Sequence, residues 1–476
     1  MSSRKFLFKL WYFIKKCVII KTIFNFKEKG RAAKKVRKTF LFNLIIIGVI
    51  CLKISYKREK IADGIHFNSI RNPSLKTNSI VVNLISPLSE DTASLNASAS
   101  YILTDSSREY PSLVAISQKL EELYGAGLKG YVSRIGDNQS VAISSSCIND
   151  RYTFDKENIT EELARVTLGC ILEPNLDENG FYAPDFALKK QELLDDIDAV
   201  INEKRSYALQ RAGKIIYRCE PAAVSVKGER ESAEKITAAT AYEQYKKLLK
   251  TAQIEVFFVG ADEPNGIKNS IWESFAKLDR EYKGDVKTKY SAVKTSPEEF
   301  TDELDVAQCK MVLAFKSNCT NRCALILMNA IFGATPFSKL FLNVREKMSL
   351  CYYCSSNYND MKGVMTVDSG VEKANIEKAK AEIIRQFELM QKGEFDEKEI
   401  NEARLAVING LRGVNDSATT LVSWYMSQIF LGTERSPEDE IELLEKVTKE
   451  DIVEAAKSFR LDTVYVLKGK ESAENE

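Results

Sequence analysis

Histidine is almost absent from this chain of 476 residues, in which His66 is the only example. Catalytic zinc centres commonly use imidazole ligands, and serine or cysteine hydrolases commonly use an imidazole base. A zinc centre with two imidazole ligands is therefore excluded. Ser98 and Ser100 have no histidine nearby in the sequence, which argues against a serine hydrolase. His66 precedes a predicted strand, and we interpret it as a packed or surface residue.

Long apolar runs are also lacking. The apolar run FLFNLIIIGVICL, at residues 40–52, has 13 residues, whereas a membrane-spanning helix needs roughly 17 to 25. No small-residue cleavage site follows it, which argues against a secretory signal. Two interpretations stay open: a membrane anchor with the preceding basic stretch on the cytoplasmic side, or a leader that begins at a start codon placed too far upstream.

Acidic residues are scarce in the same segment. Residues 1–60 contain 17 lysines and arginines and 2 acidic residues, whereas the rest of the chain contains 51 basic and 65 acidic residues. The body of the protein is therefore acidic, which excludes it from the usual class of nucleic-acid-binding proteins.

A dense cysteine framework is missing as well. The ten cysteines are widely and unevenly spaced, which predicts reduced thiols and a cytoplasmic protein. Cys351 and Cys354 fall in a predicted strand at an odd spacing, so we expect them on opposite faces. Cys319 and Cys323 share a helix face, but two thiolates do not complete a zinc site. The sequence also lacks the spacing of a phosphate-binding loop.

The remaining pattern is a repeat of mixed helices and strands. Predicted strands at residues 78–86 and 307–317 are each followed by small residues and then by a helix that begins near a proline, Pro111 or Pro336. A hairpin, long helices and a closing helix and strand follow in both halves. The order predicts an α+β fold of two homologous domains, each a mainly antiparallel sheet covered by helices on one face.

The same order of elements predicts four segments along the chain and a clamshell with a cavity between its two halves. The segments are a basic, apolar leader at 1–60, a first domain at 61–260, a polar linker at 261–305 and a second domain at 306–476.

The stretch FGATPFSKLFLNVREKMSLCYY resembles the carboxy-terminal half of the insulinase, pitrilysin and mitochondrial processing peptidase family, in its bacterial two-subunit form. KTNSIVVNLISPLSEDTASLNASASYILTDSSREYPS is similar to that family's first half, and the resemblance covers residues 61–470. It implies an extended peptide bound between two such halves or two such chains. Active members hold zinc with an inverted His-x-x-Glu-His helix motif, whose histidines share one helix face, and with a downstream carboxylate.

In this chain the three motif positions are Ala97, Ser100 and Tyr101. Alanine has no lone pair, and neutral serine and tyrosine are poor zinc ligands. The resemblance places the downstream carboxylate at Asp196, where we expect a solvated helix residue, and it places Lys189 where relatives have an acid. We therefore predict no catalytic residue and no metal ligand in this chain.

The resemblance carries two functional positions in the second half. Arg345 and Tyr352 match an arginine and a tyrosine that hold the substrate backbone in active relatives, so both are predicted to bind substrate. A guanidinium and a phenol are suitable donors to peptide carbonyl oxygens. The alternative is an arginine paired with a neighbouring acid and a tyrosine packed in the sheet.

These points predict a catalytically inactive subunit of a heterodimeric zinc peptidase. It would complete a peptide-binding chamber for an active paralogue, which alone would hold zinc, so no cofactor is expected in this chain. The alternative is a non-proteolytic binding or scaffold protein of the same fold, tethered to a membrane through residues 40–52. The expected location is cytoplasmic, with membrane association if residues 1–60 are genuine.

Overall fold

The computed structural model describes residues 54–470, so the apolar run at 40–52 lies outside the described residues. The strands are β1 (Ser55–Ala62), β2 (Ile65–Arg71), β3 (Thr77–Pro87), β4 (Gly127–Ile135), β5 (Asn138–Ile148), β6 (Leu176–Asp177), β7 (Gly180–Phe181), β8 (Gln253–Gly260), β9 (Glu298–Leu304), β10 (Cys309–Lys316), β11 (Cys351–Asn359), β12 (Val364–Val371) and β13 (Arg460–Gly469).

The α-helices alternate with these strands. They are α1 (Ala93–Ile102), α2 (Leu113–Glu122), α3 (Ile159–Leu172), α4 (Ala183–Ala199), α5 (Lys204–Ile216), α6 (Arg230–Glu234), α7 (Ala238–Thr251), α8 (Asn265–Ala276), α9 (Arg322–Asn329), α10 (Ile376–Lys392), α11 (Glu397–Gly413), α12 (Ala418–Phe430), α13 (Pro437–Leu444) and α14 (Lys449–Ser458). A π-helix spans Leu340–Lys347. Among the described helices, none has the length and apolar content needed to cross a bilayer.

Two large sheets share one strand order. The first is β1-β2-β8-β3-β5-β4, and the second is β11-β12-β10-β13-β9. If β1 is left out, the strand order of the first sheet corresponds to that of the second sheet taken in the opposite direction. Each sheet also has one parallel pair of strands, β2 with β8 in the first and β13 with β9 in the second. The predicted α+β class with two similar, mainly antiparallel sheets is confirmed. We call residues 54–276 the first half and residues 298–470 the second half.

The strand boundaries differ from the predicted segments at two places. Strand β1 takes in residues 55–60, which we grouped with the leader, and β9 takes in residues 298–304, which we grouped with the linker. Helix α8 also lies within the segment 261–305 and packs its apolar side into the core of the first half. A polar and charged composition hid these elements, because each is an edge strand or a surface helix with one polar side.

The central strands are largely apolar, and both of their faces are buried. All eight residues of β8 are buried, as are eight consecutive residues of β3. One face of the first sheet packs on helices of its own half, through residues such as Ile80, Val82 and Leu84. This face matches the predicted layer of helices.

The opposite face of each sheet is covered by a helix from the other half. On the first sheet, Val81 and Phe257 pack against Leu421 and Tyr425 of α12. The order of elements along the chain could not reveal this exchange, because the two helices are distant in sequence from the sheets they cover. It joins the two halves through buried apolar surface, which is the main favourable contribution to such contacts.

The reciprocal contact is made by α5 on the second sheet. Ala208 and Ala212 of this helix pack with Val312 and Ala314 of β10. The small alanine side chains allow the helix to lie close to the sheet.

A buried ion cluster joins the halves at their hairpin turns. Lys362, in the turn between β11 and β12, lies with its Nζ 2.6 Å from Asp137 Oδ1 in the turn between β4 and β5. The same Nζ lies 2.8 Å from Glu220 Oε2. The lysine is only 2% exposed.

Candidate functional site

Helix α1 carries the three positions that the family resemblance assigns to the zinc motif. Ala97 is fully buried in the core of the first half, and Ser100 is buried with its Oγ donating a hydrogen bond of 2.8 Å to the Ala97 carbonyl. Strand β4 passes so close that a Cβ atom at Gly130 would lie 1.7 Å from the carbonyl oxygen of Ser100. At these two positions the helix contributes packing rather than metal ligands.

The third position, Tyr101, is engaged with the downstream carboxylate. Its hydroxyl donates a hydrogen bond of 2.5 Å to Asp196 Oδ2, which α4 presents to α1. Lys227 Nζ donates to the same oxygen at 2.6 Å. We expected a solvated helix carboxylate at Asp196, and its side chain is 51% exposed on α4. Two donors also converge on one of its oxygens.

The protonation states of this cluster oppose metal binding. Burial alone raises the pKa of Asp196, but the hydrogen bonds from Lys227 and Tyr101 lower it by more, so the pKa falls below its usual range. Burial and the hydrogen bond to Asp196 raise the pKa of Tyr101 above its usual value. The tyrosine therefore stays protonated, and an ammonium group neutralises the carboxylate that a zinc ion would need.

Lys189 has its own partners rather than facing this cluster unpaired. Its Nζ lies 3.1 Å from Asp105 Oδ2 and 2.9 Å from Glu192 Oε2, and its side chain is 14% exposed. Within residues 54–470, no group of three or more histidine, cysteine, aspartate or glutamate side chains is placed to hold a metal ion. The side chains actually present at the family's zinc position, which are alanine, serine, tyrosine and a lysine-paired aspartate, do not fit zinc.

Arg345 lies near the end of the π-helix, on the edge of the second half. Its guanidinium carbon is 4.7 Å from the ring centre of Phe341, and its Nε is 3.6 Å from Glu346 Oε1. The side chain is 41% exposed. This matches part of the alternative interpretation, in which the arginine pairs with a neighbouring acid, yet a contact of that length and exposure contributes little and leaves other donors of the guanidinium available.

Tyr352 lies on the adjacent edge strand β11 and is 60% exposed. Its hydroxyl donates a hydrogen bond of 3.1 Å to Glu372 Oε1, which raises the pKa of the phenol. The structure therefore brings Arg345 and Tyr352 to one edge of the second half. Their partners all belong to that half, and the zinc-position cluster lies in the first half.

A β-bulge places Tyr352 outside the regular ladder. Cys351 pairs with Val371, whereas Tyr353 pairs with Gly370 and Cys354 with Ser369, so Tyr352 is the extra residue. The prediction that the two cysteines lie on opposite faces was wrong, because the bulge removes one residue from the alternation. Val371 and Ser369 are two residues apart, so their cysteine partners share one face.

A cavity of about 170 Å³ lies between α5 and the second sheet. Gln210, Tyr217 and Thr366 are among its lining residues. A water molecule occupies about 30 Å³ in the liquid, so this cavity has room for a few waters and not for an extended peptide.

Comparisons with known proteins match this arrangement. Residues 235–407 match the sequence profile described as "Peptidase M16 inactive domain". The chain is also similar to the "Probable inactive metalloprotease YmfF" of Bacillus subtilis (strain 168), with 29% identity over 414 residues, covering 86% of this chain and 97% of the relative. Over most of its length the chain is therefore similar to proteins described as inactive M16 metalloproteases.

Solved structures of other proteins have the same fold as this chain. A conserved protein from Enterococcus faecalis V583 has 27% identity and a TM-score of 0.79, with 88% of this chain and all of that chain covered. The peptidase M16 inactive domain from Pseudomonas fluorescens has 17% identity and a TM-score of 0.71, with 89% of this chain and all of that chain covered. The similarity to the Pseudomonas fluorescens structure is evidence for the fold only.

The family resemblance and the non-catalytic assignment predicted from the sequence are therefore confirmed. One residue of the candidate site was not found from the sequence. Lys227 is 31 positions from Asp196 in the chain and stands in SVKGER, a stretch without a recognisable motif. Only the folded arrangement of α4 and the loop before α6 shows that this lysine pairs with the former ligand position.

Proposed function

We propose that this chain is the non-catalytic subunit of a two-chain M16 peptidase. It would close a peptide chamber for an active paralogue that carries an intact His-x-x-Glu-His motif. The observation that carries the proposal is the contrast between the zinc position on α1 and the edge of the second half that holds Arg345 and Tyr352. The zinc position is filled by packed or mutually paired side chains, whereas the side chains of Arg345 and Tyr352 are exposed.

The edge strands support a role in peptide binding. Strands β4 and β11 each end their sheet and leave one row of backbone groups unpaired within it. An extended peptide can add to such an edge through main-chain hydrogen bonds, which give affinity with little sequence selectivity. Arg345 and Tyr352 stand beside β11 and would add donors to the carbonyl groups of that peptide.

The partner is needed for two reasons. The zinc ion and the general base must come from another chain, since the positions for them here hold Ala97, Ser100 and Tyr101. The cavity between α5 and the second sheet is too small for a peptide and does not itself provide such a chamber. A cytoplasmic location is part of the proposal and is supported by the eight free cysteines among the described residues.

The test is to mix the purified chain with a His-x-x-Glu-His paralogue from the same organism. Complex formation is measured by size-exclusion chromatography with light scattering, and cleavage by a fluorogenic unstructured peptide. We expect cleavage by the mixture only. Arg345→Ala should lower kcat/KM about 10- to 100-fold without dissociating the complex, which is the size of one charge-assisted hydrogen bond.

Arg218→Ala is a matched control. Arg218 also lies over an aromatic ring, that of Phe300, at 5.3 Å, and near an acid, Glu298, at 3.8 Å, and its side chain is 55% exposed. This variant should cleave like the wild type. Absence of a stable complex with every such paralogue, or equal losses for the two arginine variants, would overturn the proposal in favour of a scaffold protein.

A further inference from the structure

The bulged end of β11 brings two thiols together beside Arg345. Cys351 and Cys354 face Val371 and Ser369, which lie on one face of β12. Same-face neighbours on a strand are roughly 7 Å apart between Cα atoms, given a rise of about 3.4 Å per residue. Without the bulge, a spacing of three residues would separate them by about 10 Å and place them on opposite faces.

This separation is near the upper limit for a disulfide, whose Cα atoms usually lie about 4.4 to 6.8 Å apart. Bridging the cysteines at this separation therefore requires a movement of the backbone. A β-bulge is a place where such a shift is accessible, because its extra residue has no partner in the ladder.

The two thiols also differ in the way that a reactive pair requires. Cys351 is partly exposed, whereas Cys354 is buried in the core of the second half. Hydrogen bonding from Cys354 and the positive charge of Arg345 lower the pKa of Cys351 although burial opposes this. The hydrogen bond to Cys351 and burial raise the pKa of Cys354. The accessible thiol is the more readily ionised one.

We infer that Cys351 and Cys354 form a site of reversible oxidation, with Cys351 as the attacking thiol and Cys354 as the resolving thiol. Hydrogen peroxide is the oxidant of this reaction. The Cys351 thiolate attacks one peroxide oxygen, the O–O bond breaks, and a sulfenic acid forms as hydroxide takes a proton and leaves as water. The Cys354 thiol then attacks the sulfenic sulfur, forming the S–S bond and releasing a second water.

Two thiols thereby lose two electrons and two protons, and peroxide is reduced to two waters. The resulting bond would hold both ends of the segment that contains Tyr352. The oxidation state of the pair would therefore set the position of Tyr352 on the edge strand.

The test uses the full-length reduced chain treated with hydrogen peroxide, blocked with N-ethylmaleimide and digested for mass spectrometry. We expect the peptide with Cys351 and Cys354 to lose both alkylation sites and 2 Da, and to recover both after dithiothreitol. In untreated protein, Cys351 should react with the maleimide about tenfold faster than Cys354. Hydrogen exchange at Tyr352 and Tyr353 should slow on oxidation.

Two single variants and one internal control complete the design. In Cys354→Ala, which keeps an apolar side chain in the core, dimedone should trap a sulfenic acid at Cys351. In Cys351→Ser, Cys354 should resist peroxide. Cys319 and Cys323 are the control, since they are also close in sequence but Cys323 interacts with Glu440.

Full alkylation of Cys351 and Cys354 at peroxide concentrations that oxidise the exposed Cys219, or a bridge from Cys351 to any other cysteine, would overturn the inference.

Discussion

Lys362 offers the sharpest test of how the two halves are held together. Its ammonium group is buried between Asp137 of the first half and Glu220, at 2.6 and 2.8 Å. The cluster is closed by further donors, since Ser291 Oγ donates to Glu220 Oε2 at 2.8 Å and the backbone N–H of Lys289 donates to Asp137 Oδ2 at 3.0 Å. Lys362 is therefore the cation that contacts both carboxylates, and the charge of Arg134 also acts on Asp137.

The substitution Lys362→Met removes that cation while keeping a similar side-chain volume. It leaves two largely buried carboxylates without the cation that contacts both of them. Removing one partner of a buried ion pair costs about 3 to 5 kcal/mol, because the remaining charge is left uncompensated in a poorly solvated site. We expect the free energy of unfolding to fall by about that amount.

The measurement is urea unfolding followed by circular dichroism and by the fluorescence of Trp272 in the first half and Trp424 in the second. The control is Lys398→Met, since that lysine is 80% exposed and lies 3.8 Å from Glu402, and it should change stability by less than about 0.5 kcal/mol.

A triple variant separates charge from packing. Lys362→Met combined with Asp137→Asn and Glu220→Gln removes all three charges, and it should recover most of the lost stability because no unpaired charge remains. If Lys362→Met costs less than about 1 kcal/mol, or if the triple variant is as unstable as the single one, the reasoning is refuted.

Two further predictions concern the first half. Glu255 is fully buried beside Arg58 and His66; burial raises its pKa, but hydrogen bonds and charge from these partners lower it by more. The stabilisation from ionised Glu255 is present above the unfolded pKa of about 4.3 and is lost as pH falls through the lower folded pKa. Glu255→Gln should therefore lower the free energy of unfolding at pH 7 and do so much less at pH 3 in urea titrations. Equal losses at both pH values would contradict this. The second prediction uses a variant that restores the zinc motif, with Ala97→His, Ser100→Glu and Tyr101→His. It should bind zinc at least about tenfold more weakly than the same variant with Lys227→Gln, because the lysine ammonium repels the cation. Equal affinities in chelator competition would show that Lys227 does not block the site.

Much of the architecture was predictable because its signals are local. The strands around residues 78–86 and 307–317 were found because they are rich in β-branched or aromatic residues and alternate in part between apolar and polar residues. The duplicated order of elements gave the two similar sheets. The exchange of α5 and α12 between the halves was not predictable, because their apolar faces look like those of any amphipathic helix and do not specify which sheet they cover.

The candidate site was predictable only as far as its motifs reach. The loss of zinc ligands followed from residue identity at Ala97, Ser100 and Tyr101. The pairing of Asp196 with Lys227 and the bulge at Tyr352 depend on contacts that periodicity does not encode. A strict alternation predicted opposite faces for Cys351 and Cys354, and one extra residue in the strand reversed that result.

The most direct test of the account is the zinc content of the isolated chain. The purified protein is incubated with zinc, freed of excess metal and measured by native mass spectrometry, alongside Asp196→Ala. We predict well below one zinc ion per chain and the same low value for the variant, because Lys227 and Tyr101 already occupy the carboxylate. One zinc ion per chain that is lost in Asp196→Ala would contradict the claim that the side chains at the zinc position do not hold the metal.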